Sequence, residues 1–453
     1  MRLAIAILLG KLIAYFTRLF KIGGGSAAPG LYALKVHPEL VTSLSRHIPK
    51  NVVITGTNGK TTTAKILAHF ATSTGLKVIR NHTGSNLERG IASALISCFN
   101  LKGCKLNYDL GVWELDEAAF NTVAPKLKPD IIIFLNVFRD QLDRYGEIDT
   151  VVQKWCQTLK NLPAETLVLI NGDDANIAKL ANCFKGKVQK FGAKDFKIAG
   201  ESITRAKEQE NLDFEAKNIV LNGLDGSKFE ITANKKSYPL NLPLPGLYHI
   251  YDALAAFAGG CLLNLPIQQL AETLKDYSPA FGRVEKFSLN PTSHRTPTSE
   301  VGYIFLIKNP AGATQVFETV APNIKLDDRL FLALNDNLAD GTDISWIWDA
   351  KFEKLTSNRH PELISGSKKM PKQVRHDMIV SGTRAHDLAL RLKYAGIDPK
   401  TIILEPNLQK AFKEARIGLK GHLFILPTYT AMLELQSILA KSGLKKQYWE
   451  EGN

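Results

Sequence analysis

Short apolar runs alternate with helical patterns along the first half of the chain. "NVVITG" is typical of a buried strand, and the next segment, "KTTTAKILAHFATSTG", has a helical period and ends at a glycine. The alternation continues through the strand patterns "LKVIRN", "YDLGVWELD", "PDIIIFLNV" and "ETLVLING" and the helical patterns "GIASALISCF" and "IDTVVQKWCQTLKNLP". This rhythm predicts an α/β fold in which a mostly parallel sheet carries helices on both faces.

The pattern changes between about residues 192 and 240. The β-type runs "FKIAGESI", "NIVLNG" and "KFEITAN" are separated by turn residues, which predicts a small antiparallel appendage. The apolar segment "PLNLPLPGLYHIYDALAAFAGGCLL" then predicts a return to helix. We expect a boundary near residue 280, so that residues 31–280 form a central domain.

A second α/β unit is predicted for residues 281–453. Strand and helix patterns alternate again in "RLFLALND", "MIVSGTRAHDLALRLKYAG" and "GHLFILPTYTAMLELQSIL". Residues 289–302 and 356–377 lack a period, and we expect loops there. The second of these segments is polar and rich in proline and lysine, which favours a flexible insertion.

The first 30 residues predict an amphipathic helix followed by the glycine-rich linker "KIGGGSAAPG". The longest uncharged run, residues 3–10, is too short to cross a bilayer. Lys11, Arg18 and Lys21 cluster on one side of the helical wheel, so the helix either packs on the body or lies on a membrane surface. A signal peptide is the less favoured alternative, because no clean cleavage site precedes the glycines.

Composition narrows the class of protein. With 45% apolar and 22% charged residues, the chain of 453 residues fits a soluble globular protein. Its 57 basic and 44 acidic residues give a net charge of +13, which favours nucleotides, polyphosphates or an acidic membrane surface, or reflects only a solvated basic surface. No motif that reads nucleic acid is found, and nucleic acid is not expected as a partner. The five cysteines are odd in number and lack C-x-x-C spacing, which argues against a disulfide framework or a zinc ribbon and fits the reducing cytosol.

"TGTNGKTTT" lies between the first predicted strand and its helix, where phosphate-binding loops occur. Glycines let the backbone approach a phosphate, and amides at a helix N-terminus donate to its oxygens. Lys60 would reach the outer phosphates, and the Thr61 hydroxyl would join Mg²⁺. The spacing is shorter than the common G-x-x-x-x-G-K-[ST] form, and a plain strand–helix turn is the alternative. The predicted nucleotide-binding residues of the loop are Gly56, Thr57, Asn58, Gly59, Lys60, Thr61 and Thr62.

Polar side chains follow the later strands, at the edge where ligands collect in open α/β sheets. Glu114 ends one strand and is the expected carboxylate for Mg²⁺ beside the loop threonine. Asp116 and Glu117 come next and are either site residues or helix N-terminal charges. "LINGDD" places Asn171 and Asp174 where they could hold the nucleoside, with a plain N-cap as the alternative. Further polar residues after another strand are Asn136, Asp140, Asp143 and Glu147.

These motifs resemble the ATP-binding core of the Mur ligase family. The similar segments are "TGTNGKTTT" with its strand-end glutamate, "NVFRDQLDRYGE", "LVLINGDD", "LPGLYHIYDALAA" and "GRVE". In that family ATP activates a carboxylate as an acyl phosphate, which an amine then attacks. The resemblance implies a Mur ligase-type P-loop central domain with ATP and Mg²⁺ as cofactors, and it adds Arg283 of "GRVE" to the nucleotide-binding residues.

The second unit resembles the C-terminal domain of MurT-type ligase subunits, in "KNPAGA", "LNDNLADGTDISWIWDAKFEKL", "SGTRAHDLALRLKYAG" and "LPTYTAML". Members of that family work with a GatD-like glutamine amidotransferase and amidate the D-glutamate α-carboxyl of lipid II. The resemblance implies that reaction, that partner and a cytoplasmic location, peripheral at the inner face of the membrane. It also implies that Asp343 completes the partner's Cys–His pair as a catalytic residue, with Asp349 as the rival and a helix cap as the alternative.

Three departures from the family pattern matter. Residues 192–240 contain no cysteine, so the zinc ribbon of many MurT-type proteins is not expected. Gln141 stands where amino-acid-adding Mur ligases usually have histidine, which leaves the number of Mg²⁺ ions open. In "GLYHIYD", His249 is expected to be packed or hydrogen-bonded and not a metal ligand.

Two rival functions are considered. One is an amino-acid-adding ligase, such as a folylpolyglutamate-synthase-like protein, which would have no need of the partner-facing segment "DGTDISWIWD". The other is a non-catalytic nucleotide-binding scaffold, against which the intact Lys60, Thr61 and Glu114 argue.

Overall fold

The computed structural model describes nine ranges of the chain. They are residues 1–19, 27–81, 85–101, 105–138, 148–193, 212–277, 284–289, 301–357 and 378–445. Within these ranges the strands form two sheets, one of nine strands and one of six. The α/β fold class predicted from the sequence is thereby confirmed, since most neighbouring strands in both sheets run parallel.

The first sheet is built around an apolar central strand. Its strands are β1 (Lys50–Thr55), β2 (Val78–Arg80), β3 (Leu110–Leu115), β4 (Ile131–Phe134), β5 (Leu167–Asn171), β6 (Val188–Gly192), β7 (Phe214–Leu221), β8 (Ser227–Ala233) and β9 (Lys236–Leu242). Their order is β2-β3-β1-β4-β5-β6-β7-β8-β9. β1 pairs in parallel with β3 and β4 and is buried on both faces, which explains its continuous apolar sequence.

Helices cover both faces of this sheet, as the alternation of strand and helix patterns predicts. They are α1 (Arg2–Leu19), α2 (Ala28–Val36), α3 (Leu40–Ser45), α4 (Lys60–Ser73), α5 (Glu88–Cys98), α6 (Glu117–Leu127), α7 (Ile148–Lys160), α8 (Ala175–Ala178), α9 (Leu247–Leu262) and α10 (Ile267–Thr273). Val52 and Ile54 of β1 pack in one apolar cluster with α4, α9 and α10, whereas Val53 packs in another with α1–α3 and α5–α8. Side chains of a strand alternate between faces, so β1 feeds two cores.

The predicted antiparallel appendage is a continuation of the sheet. β6 pairs in parallel with β7, and β7, β8 and β9 then pair antiparallel. The prediction of helix from "PLNLP" onward is wrong for residues 239–242, which lie in β9. β9 is the edge strand of the sheet, and an edge strand can contain a proline because one of its sides pairs with no further strand. The predicted strand "FKIAGESI" lies outside the described residues.

The second sheet carries the remaining strands. They are β10 (Glu285–Ser288), β11 (Val301–Ile304), β12 (Arg329–Ala333), β13 (Met378–Ser381), β14 (Ile402–Leu404) and β15 (Leu423–Pro427), in the order β10-β11-β15-β12-β13-β14. The helices of this unit are α11 (Pro310–Val320), α12 (Trp346–Asp349), α13 (Lys354–Ser357), α14 (Ala385–Tyr394), α15 (Leu408–Arg416) and α16 (Tyr429–Lys441). Phe317 of α11 belongs to the same apolar cluster as Leu254 of α9, so the two units share a core.

The predicted boundaries fall largely outside the described residues. Residues 278–283, around the expected domain boundary, and most of the two expected loops are not described. The exact division into domains therefore stays a prediction. The expected loop from residue 356 starts inside α13, which ends at Ser357.

Cysteine pairing differs from the expectation. Cys156 of α7 and Cys183 form a disulfide, with their Cα atoms 5.2 Å apart. The two residues are 27 positions apart in sequence and meet because α7 packs against the segment after α8. A cysteine count and spacing carry no information on such packing. Cys98 and Cys261 are free and half-buried.

Candidate active site

The loop between β1 and α4 has the backbone of a phosphate-binding turn. Gly56 has φ +139° and Gly59 has φ +88°, in the region that favours glycine. A Cβ atom on Gly59 would lie 2.0 Å from Asp252 Oδ1, a side chain of α9. Glycine is therefore required at position 59 for two reasons: the positive φ angle, and the collision of any Cβ atom with Asp252. Thr62 is buried in the first turn of α4, where amides lack intrahelical partners and can donate to a ligand.

Asn136, in the segment after β4, supports the loop from the side. Its Oδ1 accepts the Asn58 N–H at 2.8 Å, and its Nδ2 donates to the Asn58 carbonyl at 3.0 Å. The Asn136 carbonyl also accepts the Thr57 N–H at 3.0 Å. The Asn58 amide therefore already has an acceptor within the protein, and a contact of Asn58 with phosphate stays a prediction.

Lys60 is buried and folded over its own loop. Its Nζ donates to the Gly56 carbonyl and, at 3.3 Å, to the Thr57 carbonyl. It also forms ion pairs with Glu117 Oε2 at 3.4 Å and with Asp116 Oδ1 at 3.7 Å. The two acidic residues lie at the N-terminus of α6 and face the loop, so they are helix N-terminal charges, and a role in the site stays a prediction. A bound polyphosphate would compete with these carboxylates for the ammonium group.

Thr61 and Glu114 are brought together as the sequence predicts. Thr61 Oγ1 donates to Glu114 Oε2 at 2.7 Å, and Glu114 is fully buried. Asn81 fixes the strand end, because its Oδ1 accepts the Glu114 N–H at 2.9 Å and its Nδ2 donates to the Glu114 carbonyl at 3.0 Å. Adjacent octahedral ligands of Mg²⁺ lie about 3.0 Å apart, and this ion keeps waters and phosphate oxygens as its other ligands. The pair therefore fits Mg²⁺ in both donor type and spacing.

No larger metal cluster accompanies this pair in the ranges that the structure describes. No group of three or more His, Cys, Asp or Glu side chains there is arranged to hold a metal ion. His249 is buried and its Nδ1 lies 2.7 Å from the Pro245 carbonyl, which confirms the expectation of a hydrogen-bonded residue. Several residues singled out in the sequence lie outside the described ranges, namely Arg283, Asp140, Gln141, Asp143 and Glu147.

Asn171 and Asp174 hold the neighbouring strand ends. Asn171 Nδ2 donates to the Leu135 carbonyl at 2.9 Å. Asp174 accepts the Val137 N–H at 2.9 Å and caps α8 through two amides of its first turn. Burial raises the pKa of Asp174, against the backbone hydrogen bonds that lower it. The N-cap alternative is thus realised for Asp174, and a contact of either residue with a nucleoside stays a prediction.

The second α/β unit reaches the phosphate loop directly. Asn309 and Asn58 exchange two side-chain hydrogen bonds, of 3.0 and 3.3 Å, and Lys308 Nζ donates to the Thr57 carbonyl at 3.3 Å. Asn309 also caps α11 by accepting the Gly312 N–H. The N-termini of α4 and α11 therefore meet at the loop, and each adds the positive end of a helix dipole to it.

Asp343 lies on the surface of the second unit, just before α12. Its carboxylate accepts the Ser345 N–H at 2.8 Å and the Ser345 hydroxyl at 2.9 Å. The buried Arg391 of α14 donates to two carbonyls of the α12 segment and lies 5.6 Å from the Trp348 ring centre. Trp348 and Tyr394 are exposed and meet edge to face at 5.6 Å. Exposed aromatic side chains therefore follow Asp343 in the chain. Asp349, the rival residue, is the last residue of α12 and is half-buried.

Four supporting residues were not identified from the sequence. Asn81 and Asp252 sit on elements far along the chain from the loop, and Lys308 and Asn309 belong to another unit. Only "KNP" carried a local signal, because asparagine before proline is a common start of a helix.

Comparisons with known proteins agree with this geometry. A family model described as "Mur ligase middle domain" matches residues 54–260, and one described as "MurT ligase C-terminal" matches residues 306–432. The lipid II isoglutaminyl synthase (glutamine-hydrolyzing) subunit MurT of Streptococcus pneumoniae is 30% identical over 457 aligned residues, which cover 95% of this chain and 95% of that protein.

Solved structures share the fold. MurF from Acinetobacter baumannii matches with a TM-score of 0.67 at 16% identity, covering 92% of this chain and 80% of that one. MurF ligase from Thermotoga maritima in complex with ADP matches with a TM-score of 0.60 at 14% identity, covering 88% of this chain and 81% of that one. The Mur ligase fold predicted from the sequence is therefore confirmed.

Proposed function

The chain belongs to the MurT family of Mur ligase-type subunits, and we propose that it catalyses the ATP-dependent amidation of the D-glutamate α-carboxyl in lipid II. One observation carries the proposal: the phosphate loop, with Lys60, Thr61 and Glu114 assembled, is bonded by Lys308 and Asn309 of the MurT-type unit. Such a contact joins the activating site to the domain that distinguishes this family from amino-acid-adding ligases.

The reaction divides into two steps. A carboxylate repels nucleophiles and has no good leaving group, so its oxygen first takes the γ-phosphoryl group of ATP and ADP leaves. Ammonia then attacks the acyl carbon, the bond from this carbon to the phosphorylated oxygen breaks, and the nitrogen gives one proton to the departing phosphate. Lys60 and Lys308 supply positive charge near the transferring phosphoryl group, and the junction between the two units excludes water from the acyl phosphate.

Mg²⁺ would be held by Thr61 and Glu114, and it would neutralise charge on the phosphate oxygens. Arg283, Asn171 and Asp174 would contact the remainder of the nucleotide. In this assignment the loop glycines and the amides from Gly59 to Thr62 cradle the phosphates, and Asn136 and Asn81 act as positioning residues.

Ammonia comes from a glutamine amidotransferase partner of the GatD type. The exposed Asp343 is offered to that partner's Cys–His pair, where a carboxylate orients the imidazole and stabilises its charged form. The exposed Trp348 and Tyr394 support this assignment, since Trp and Tyr are enriched among the residues that carry binding energy at interfaces. The cytoplasm, at the inner face of the membrane, is where both the partner and lipid II would be met.

A reaction with free ammonium tests the proposal without the partner. The chain is incubated with lipid II, ATP, Mg²⁺ and ammonium chloride, and products are identified by mass spectrometry. We expect an amide on D-glutamate and one ADP formed for each amide. Addition of an amino acid under matched conditions, or ATP-independent binding only, would overturn the proposal in favour of an adding ligase or a scaffold.

A further inference from the structure

Helix α1 packs on the protein with one side and exposes a row of large apolar side chains on the other. Ala6, Ile7 and Gly10 are buried against α2 and α5, and a Cβ atom on Gly10 would lie 2.7 Å from Ile96 Cδ1. The outward residues are 44–62% exposed, and they are Ile5, Leu8, Leu12, Tyr15, Phe16 and Leu19. Their spacing of three or four residues, with Tyr15 and Phe16 adjacent, aligns them in one row on the helix.

This row, the α1 stripe, is a contiguous apolar surface and not a set of scattered apolar residues. From Ile5 to Leu19 it runs about 21 Å at 1.5 Å per residue. Leu31 and Tyr32 of the adjacent α2 are exposed as well. A contiguous apolar surface of this kind marks an interaction site. The basic residue Lys11 is directed towards the protein, where its Nζ donates to the Ser97 carbonyl.

The charged residues around the stripe favour an anionic membrane over a second copy of this chain. Before Glu39, the first acidic residue, the chain has only basic charged residues, namely Arg2, Lys11, Arg18, Lys21 and Lys35. Arg2 of α1 and Lys35 of α2 are exposed. A second copy of this surface would bring equal positive charges together, whereas anionic lipid headgroups would be attracted to them.

The packing of α1 also determines how the helix would be oriented at a membrane. None of the described helices is long and apolar enough to cross a bilayer. Because one side of α1 is packed on the protein, only the stripe is free to enter lipid. We propose that α1 lies in the plane of an anionic membrane surface, with the stripe inserted among the acyl chains and Arg2 and Lys35 at the headgroups.

Vesicle flotation of the full-length chain tests this inference. The wild type is expected to float with phosphatidylcholine vesicles that contain phosphatidylglycerol, and to bind pure phosphatidylcholine vesicles at least about tenfold more weakly. The variant Leu8→Glu/Leu12→Glu is expected to lose binding by about tenfold or more. Val220→Glu/Ile417→Glu adds the same charge at exposed apolar positions elsewhere and should bind as the wild type does.

The remaining outcomes are also decisive. Circular dichroism melting of both double variants checks that they are folded. Absence of wild-type flotation, or equal flotation of the two double variants, overturns the inference. A dimer that Leu8→Glu/Leu12→Glu converts to monomer, without vesicle binding by the wild type, would assign the stripe to a second copy. The assay uses neither ATP nor lipid II, so its result is independent of the proposed reaction.

Discussion

Asn58 of the phosphate loop and Asn309 of the second α/β unit exchange two side-chain hydrogen bonds, with N–O distances of 3.3 and 3.0 Å. An amide pair that donates in both directions fixes the relative orientation of the groups that carry it. Asn309 is also the N-cap of α11. The relationship therefore ties the start of a helix in one unit to the loop that would bind phosphate in the other.

Replacement of Asn309 tests whether this tie serves catalysis. Asn309→Ala removes the cap of α11 and the contact with Asn58, whereas Asn407→Ala removes only an equivalent cap, on α15. Each variant should lose about 1 kcal/mol of unfolding free energy in urea titrations. Only Asn309→Ala should slow ATP-dependent amidation, by about tenfold or more, since misplaced reacting groups are costly. Equal rates for the two variants would show that the contact is merely structural.

Gly59 can be compared with a glycine of the same backbone angle. Gly59 has φ +88° and Gly75 has φ +89°, yet a Cβ atom on Gly75 would meet nothing within 4 Å. Gly75→Ala should therefore cost only the left-handed conformation, about 1 kcal/mol. Gly59→Ala adds the collision with Asp252 and should abolish nucleotide binding measured by calorimetry. If Gly59→Ala binds nucleotide as Gly75→Ala does, the loop has another role.

Lys60→Ala should remove ATP turnover. The ammonium group lies over the loop and would be the cation nearest the outer phosphates, so its loss is expected to lower kcat by about 100-fold or more. Lys50→Ala removes an exposed lysine ten residues earlier, paired with Asp130, and should leave turnover unchanged. Phosphate release assays on both variants make the comparison. Unchanged turnover in Lys60→Ala would contradict the phosphate-loop assignment.

Asp343→Asn should separate two sources of ammonia. With the amidotransferase partner present, glutamine-dependent amidation should fall by about 10⁴-fold, because the neutral amide does not stabilise the partner's imidazolium. Activity with ammonium chloride should remain, since Asp343 is not placed at the phosphate loop. Asp349→Asn is the matched control. A selective loss of glutamine-dependent activity in Asp349→Asn would transfer the role to that residue.

Local motifs explain what the sequence predicted well. The loop from Gly56 to Thr62 is contiguous, and its strand–glycine–lysine–helix order can be read without knowing the fold. Glu114 was found because parallel strands end at one edge, which is where Thr61 meets it. The resemblance to a ligase family then supplied chemistry that spacing alone does not carry.

Long-range packing explains what the sequence did not predict. Asn309 is 251 residues from Asn58, and Cys183 joins a helix 27 residues earlier, so neither contact leaves a periodic signal. Asp252 is the acidic residue of a largely apolar helix, and only the folded structure sets it against Gly59. Residues 239–242 are apolar enough for a buried helix but pair with β8, and this edge strand tolerates Pro239.

The fate of nitrogen tests the central claim most directly. The chain and a GatD-type amidotransferase are incubated with lipid II, ATP and glutamine labelled with heavy nitrogen in its side-chain amide. The account predicts that the label appears in the α-amide of D-glutamate, with one ADP formed for each amide. Hydrolysis of ATP and glutamine without label in lipid II, or label found in an added amino acid, would contradict it.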